Sequence, residues 1–157
     1  YRPQNNPLLD MLIYRCRSTI YTNQIDHDDM RGLIRHLKNG RAIWYSPDQD
    51  FGLKQGVMAP FFGVPAATVT AHRRLLKMTK AEAIPLYFYR DGDISNPKYK
   101  VLIEPPVENL PSDDELDDAT RTNLIIERQL RIAPTQYMWF HRRFKTRPNG
   151  SESLYES

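Results

Sequence analysis

The 157 residues include a single cysteine, Cys16, so no disulfide can close within the chain. A reducing compartment is the matching expectation. No apolar run approaches the roughly 18 residues that a membrane-spanning helix needs, and no secretory signal opens the sequence. Histidine is scarce, with only His27, His36, His72 and His141. None of these belongs to a cysteine–histidine zinc pattern, so no metal site is expected. None has a carboxylate five positions downstream either, where Gly32, Arg41, Lys77 and Thr146 stand. An initiating methionine is also missing. Tyr1-Arg2-Pro3 reads as the end of a strand or loop, and the expectation is a chain that begins partway into a longer protein, with any membrane anchor upstream.

What is present has a globular balance, 40% hydrophobic and 26% charged, in a chain long enough to bury one core. The formal charge is only +3, so its distribution carries more meaning than its total. Acidic residues gather between Ser112 and Asp118, whereas basic ones recur as stripes, which points to anionic partners.

Local signals divide the chain into alternating elements. Asn5-Asn6-Pro7 is a helix start, with a capping side chain and a first-turn proline, and predicts a helix over 7–18. A second helix is expected from Asp26 or Asp28 to Gly40, with Met30, Leu33, Ile34 and Leu37 on one face and Arg31, Arg35 and Lys38 on another. Residues 42–45 read as a buried strand, 49–65 as a long loop of the kind that is usually functional, and 66–80 as a helix. Strands are expected over 83–89 and 99–103, antiparallel because their connection is short. Ser112 with Glu115 forms a capping-box pattern, opening a helix that runs to about Ile132. Pro134 interrupts it, and a shorter helix is expected over 135–144, before a polar tail at 151–157. Alternating helices and strands predict an α/β class with a mixed, mostly parallel sheet flanked by helices, residues 1–150 being part of a single domain. Ligands in such sheets sit beyond the carboxyl ends of the strands, which draws attention to Trp44 through Asp48.

Several constellations there carry two readings. Trp44-Tyr45-Ser46-Pro47-Asp48-Gln49-Asp50-Phe51-Gly52 is either a turn whose aspartates bond nearby amides or a site at a strand exit. Arg2, Arg15 and Arg17 are either a phosphate- or carboxylate-binding group or a solvated face with surface ion pairs. Asp113, Asp114, Glu115, Asp117 and Asp118 fit no calcium loop and are explained by the helix dipole. The segment from Tyr137 to Pro148 mixes aromatics with cations, as does a nucleic-acid surface or a membrane-interface segment. An aromatic core face with a basic exterior has the same composition.

Four of these strings together resemble the lauroyl and myristoyl acyltransferases of lipid A biosynthesis. They are Tyr1-Arg2-Pro3 with Asn6-Pro7-Leu8 and Arg17; Trp44 through Gly52; Ala59-Pro60-Phe61-Phe62-Gly63 with Ala66-Ala67-Thr68; and Ala133 through Pro148. The resemblance covers residues 1 to about 150 and marks the chain as the C-terminal portion of such a protein. It implies a glycerolipid-acyltransferase-like fold, incomplete at the N-terminus. It also implies transfer of a fatty acyl chain from acyl carrier protein to a hydroxyl of a Kdo-bearing lipid A precursor, at the cytoplasmic face of the inner membrane. No cofactor and no nucleic acid enter that reaction.

The family's base and orienting carboxylate, spaced His-x4-Asp/Glu, are expected upstream of Tyr1. A poor alkyl-hydroxyl nucleophile needs such a base, and the thioester oxyanion needs donors or positive charge. By the resemblance, Arg17 stabilises an oxyanion or phosphate and Asp48 orients a basic group, with Arg2, Asp50 and Lys54 as substrate-binding candidates. Gln49 and Phe51 replace a histidine and a tyrosine of many members, which bears on acyl-chain or acceptor preference. The competing reading is a non-catalytic module that binds anionic lipid or carrier protein.

Overall fold

The computed structural model describes residues 3–21, 23–26, 28–149 and 151–155. They fall into two units, Tyr1–Ile43 and Trp44–Ser157, each described by itself.

The first unit is helical. Helix α1, Pro7–Ser18, starts as its sequence predicts, the Asn6 side chain accepting from the backbone N–H of Leu8 (3.0 Å) and Leu9 (3.2 Å). Beyond its end Gln24 folds back, its Nε2 donating to the Tyr14 carbonyl and the Ser18 hydroxyl. Helix α2, Met30–Lys38, is capped by Asp29, which accepts from Gly32 N–H at 2.8 Å. It therefore starts slightly after the expected Asp26 or Asp28, and it closes before Gly40.

The second unit holds the core. Strands β1, Gly56–Phe61, and β2, Val64–Val69, pair antiparallel across a two-residue turn. Both turn residues, Phe62 (φ 49°) and Gly63 (φ 77°), are left-handed, as the twist of a tight hairpin requires. Phe62 adopts this conformation despite its Cβ because its N–H donates to Glu127 at 2.7 Å and Arg131 lies over its ring. Helix α3, Ala71–Thr79, follows β2 directly. Strands β3, Leu86–Asp91, and β4, Lys98–Ile103, form a second antiparallel hairpin. Helix α4, Glu115–Leu130, packs on β1, its Leu130 and Ile126 meeting Phe61, Ala66, Tyr137 and Phe144. Arg73 ties α3 to α4, its Nε donating to Asp118 at 2.5 Å and its NH2 to the Ser112 carbonyl. Asp118 also accepts from Ser112 N–H; burial works against its charge, but these donors outweigh it and hold the carboxyl below its usual range.

The α/β class holds, and the antiparallel pairing of β3 with β4 is as expected. The mostly parallel sheet is not what these residues form: among the described residues there are two separate two-stranded antiparallel sheets. Hairpins need only short turns, whereas parallel pairing needs long crossovers. Residues 42–45 are not a strand; Trp44 is 66% exposed and no other strand pairs with the segment among the described residues. The expected loop and the start of the expected third helix are β1 and β2. Ala66, Ala67 and Thr68 are buried, Ala66 clustering with Phe61 while Arg143 bonds the Ala67 carbonyl and the Thr68 hydroxyl. The cap of α4 is Asp114, accepting from Leu116 and Asp117 N–H, while the Ser112 hydroxyl accepts from Asp114 N–H at 3.2 Å just ahead of it. Residues 135–144 form two 3-10 turns, Pro134–Gln136 and Trp139–His141, ended by Arg142 at φ 52°.

The core has a polar centre. Arg143, 1% exposed, donates to the Ala67 carbonyl (2.6 Å), the Thr68 hydroxyl (3.0 Å) and Asn123 Oδ1 (3.2 Å), with its guanidinium over the Phe61 ring. Asn123 Nδ2 donates to the Pro60 carbonyl and Thr68 Oγ1, both at 2.9 Å. One amide thus joins α4, β1, β2 and the C-terminal segment. Replacing it with leucine strands several buried partners, each worth about 1–3 kcal/mol. Asn123→Leu is expected to lower unfolding free energy by about 3 kcal/mol in urea titration. Lys77→Ala, which removes only an exposed 3.8 Å pair with Asp113, is expected to change it by less than about 0.5 kcal/mol.

Candidate functional site

The segment from Trp44 to Gln55 is held at several points by the unit it belongs to. At its start, the Tyr45 ring lies 5.7 Å from the His72 ring of α3. Partial burial raises the Tyr45 phenol above its ordinary value. Burial lowers the His72 imidazole, which Asp118 opposes and Arg73 reinforces, so His72 packs as a neutral ring. Its Nε2 is 3.4 Å from the Thr122 hydroxyl.

In the middle, the two aspartates have different surroundings. Asp50 is buried, and its carboxylate is taken up by Gly52 and Thr146: Oδ1 accepts from Gly52 N–H and the Thr146 hydroxyl, and Oδ2 from Thr146 N–H, each at 2.8 Å. Gly52 takes φ +76°, a conformation costly for any residue with a Cβ, and so turns its N–H back onto Asp50. Asp48 is half-buried. Its carbonyl accepts from the Tyr137 hydroxyl at 3.2 Å and its Oδ1 from the Ser46 hydroxyl at 2.7 Å. Its second carboxylate oxygen has no hydrogen bond among the described residues. Burial, aided by Asp48, holds the Tyr137 phenol well above its ordinary range, so it stays a neutral donor.

At its end, the segment passes into a 3-10 turn, Leu53–Gln55, that leaves Lys54 exposed. Thr70 N–H donates to the Gln55 carbonyl at 3.1 Å and fixes this end to the close of β2.

Of the sequence-based candidates, Asp48, Asp50 and Lys54 share this one segment. Arg17 belongs to the first unit, exposed in the last turn of α1, where its carbonyl accepts from Ile20 and Tyr21 N–H. Arg2 lies outside the described residues. Among the described residues no group of three or more His, Cys, Asp or Glu side chains is placed to hold a metal, and no helix is long and apolar enough to cross a membrane.

Sequence reasoning missed the groups that anchor the segment: Tyr137, Thr146 and, through the polar centre, Arg143 and Asn123. Tyr137, Arg143 and Thr146 all lie in the aromatic-cationic string noted above. Nothing in one sequence marks Arg143 as buried, because arginine is ordinarily exposed.

Residues 1–146 match the family described as bacterial lipid A biosynthesis acyltransferase. The chain is 40% identical over 156 residues to a lipid A biosynthesis lauroyltransferase of Escherichia coli, covering 99% of this chain and 50% of that protein. A lipid A biosynthesis acyltransferase of Haemophilus influenzae is 42% identical over 159 residues, again 99% of this chain and 50% of that protein. A lipid A biosynthesis myristoyltransferase of Escherichia coli is 28% identical over 157 residues, 99% of this chain and 48% of that protein. The chain thus spans about half the length of the curated relatives it matches. It belongs to the bacterial lipid A biosynthesis acyltransferase family.

The geometry separates the two aspartates experimentally. Asp50→Asn exchanges acceptor oxygen for a donor that faces N–H groups and is expected to cost about 2 kcal/mol of stability. Asp48→Asn is expected to stay within about 0.5 kcal/mol. Urea midpoints of the two variants check both.

Proposed function

We propose that this member of the bacterial lipid A biosynthesis acyltransferase family forms part of an enzyme that moves a fatty acyl chain from acyl carrier protein to a hydroxyl of a Kdo-bearing lipid A precursor. The reaction takes place at the cytoplasmic face of the inner membrane. One observation carries the reading: the family match runs through residues 1–146 and contains every candidate site residue, Arg2, Arg17, Asp48, Asp50 and Lys54. The names of the relatives support the class, since lauroyl-, palmitoleoyl- and myristoyltransferases all move an acyl chain.

The chemistry follows from the groups that acyl transfer needs. The acceptor hydroxyl attacks the thioester carbonyl and gives its proton to a base, the His-x4-Asp/Glu pair of the family, which these residues do not contain. The carbonyl oxygen becomes an oxyanion, and the carbon–sulfur bond then breaks to release the carrier's thiol. Arg17 supplies positive charge to that oxyanion or to a phosphate of the acceptor. Asp48, with one carboxylate oxygen engaged by Ser46, orients a basic group with the other. Lys54 and Arg2 bind anionic parts of the substrates. Asp50 serves by holding the Asp48 segment to Thr146.

An acyl-transfer assay of the full-length protein with several acyl carrier protein thioesters tests this. Arg17→Ala and Asp48→Ala are each expected to lower kcat/KM by on the order of 100-fold, and Lys54→Ala by less, mainly through KM. Unchanged transfer in both alanine variants would overturn the site. Carrier-protein binding without turnover in the full-length wild type would instead support a non-catalytic binding module.

A further inference from the structure

Two consecutive residues of the C-terminal segment hold two different elements. The Gln136 amide engages both main-chain groups of Arg90 in β3: its Oε1 accepts from the Arg90 N–H and its Nε2 donates to the Arg90 carbonyl, each at 2.8 Å. These are the groups that a neighbouring strand would pair, so one side chain docks the segment on β3. The next residue, Tyr137, reaches elsewhere and donates its hydroxyl to the Asp48 carbonyl at 3.2 Å.

Little freedom is left to that hydroxyl. The Tyr137 ring meets the Trp139 ring edge-on at 4.8 Å and packs against the core cluster of Phe61. Trp139 is itself fixed, its Nε1 donating to the Pro134 carbonyl at 2.9 Å. Pro134 also opens the 3-10 turn that carries Gln136. Turn, clamp and rings thus close one loop around Tyr137, and burial keeps its phenol a neutral donor.

The Asp48 segment meets β3 a second time. The Trp44 ring lies 6.2 Å from the ring of Phe88, two residues before Arg90 and on the same face of the strand. The segment is therefore tied to β3 at its start by an aromatic pair and, at Asp48, through Tyr137 and Gln136. Among the described residues only the Ser46 hydroxyl bonds the Asp48 carboxylate. The direction of that carboxylate thus depends on where the main chain at Asp48 is held.

We infer that Gln136 and Tyr137 are positioning residues for acyl transfer: Gln136 fixes the pair on β3, and the Tyr137 hydroxyl sets the main chain from which Asp48 projects. The inference deepens the proposed function and rests on it for the role of Asp48. Neither residue touches a reacting atom. Their contribution is orientation, which a small displacement of a working group forfeits as rate.

Acyl transfer by the full-length protein, with kcat and KM measured separately, tests this. Tyr137→Phe deletes the hydroxyl and keeps the ring; it is expected to lower kcat about tenfold and to change KM by less than about twofold. Gln136→Leu is expected to lower kcat about threefold. In an Asp48→Ala background, Tyr137→Phe is expected to add less than about twofold, because residues that act as a unit are not additive. Tyr155→Phe deletes a hydroxyl that accepts from Phe144 N–H in the same segment and is expected to transfer as wild type.

Wild-type kcat in Tyr137→Phe, beside a slow Asp48→Ala, would overturn the inference alone. So would a loss that recurs in full in the Asp48→Ala background, or one that Tyr155→Phe matches. Wild-type transfer by Asp48→Ala, or no transfer by the wild type, would instead remove the proposed function's reading and this inference with it.

Discussion

A guanidinium buried on neutral acceptors is the constraint on which the second unit depends. Arg143 has no carboxylate in contact among the described residues. Its charge rests on a carbonyl, a hydroxyl and an amide oxygen, and on the face of Phe61. Burial pushes the guanidinium below its ordinary value, and the Tyr137 phenol, Asp50 and Asp48 pull the other way through space. A cation taken from water costs several kcal/mol unless its surroundings are arranged for it. The arrangement explains why so many elements meet at one place. Asn123 from α4, Thr68 from β2 and the Pro60 carbonyl of β1 must all converge for the charge to be tolerated. The segment that carries Arg143 is thereby held against the hairpin.

That anchoring reaches the candidate site through three residues of chain. Thr146 follows Arg143, and its N–H and hydroxyl hold the Asp50 carboxylate; Tyr137, ahead of Arg143, holds the Asp48 carbonyl. The two aspartates, equivalent by composition, are divided by this frame. Asp50 is buried, and its carboxylate is taken up by the Gly52 and Thr146 N–H groups and the Thr146 hydroxyl. Asp48 has one carboxylate oxygen bonded by Ser46 and the other without a hydrogen bond among the described residues. Lys54, just beyond, stays in solvent at a position that the Gln55–Thr70 bond defines. In the first unit, Arg15, Arg31, Arg35 and Lys38 are exposed and meet no carboxylate among the described residues.

The start of the chain was legible because local chemistry decided it. Asn6 followed by Pro7 is a cap and a first-turn residue whatever surrounds them, and α1 has the expected bounds. The family, too, was readable from four strings whose residues are individually ordinary. Residues 56–80 were misread because tertiary packing decided them. Val64-Pro65-Ala66-Ala67-Thr68-Val69 contains good helix formers, yet Ala66 clusters with Phe61 and the Ala67 carbonyl accepts from Arg143. Ser112 with Glu115 matched a capping box, but Asp114 lies nearer the true start and won the cap. Of the site, Asp48 and Asp50 were visible as a pair, whereas their difference came from Tyr137 and Thr146, about 90 residues away along the chain. A long-range partner of that kind leaves no periodic or local mark.

Amide hydrogen exchange in an Arg143→Met variant tests the central claim most directly. Methionine keeps much of the volume and removes the charge and its donors. If the buried guanidinium holds the C-terminal segment in place, the Gly52 and Thr146 amides, both bonded to Asp50, lose protection together, while amides in the middle of α3 keep theirs. Unchanged protection at Gly52 and Thr146 would show that the aspartate segment is positioned without Arg143 and would contradict the account.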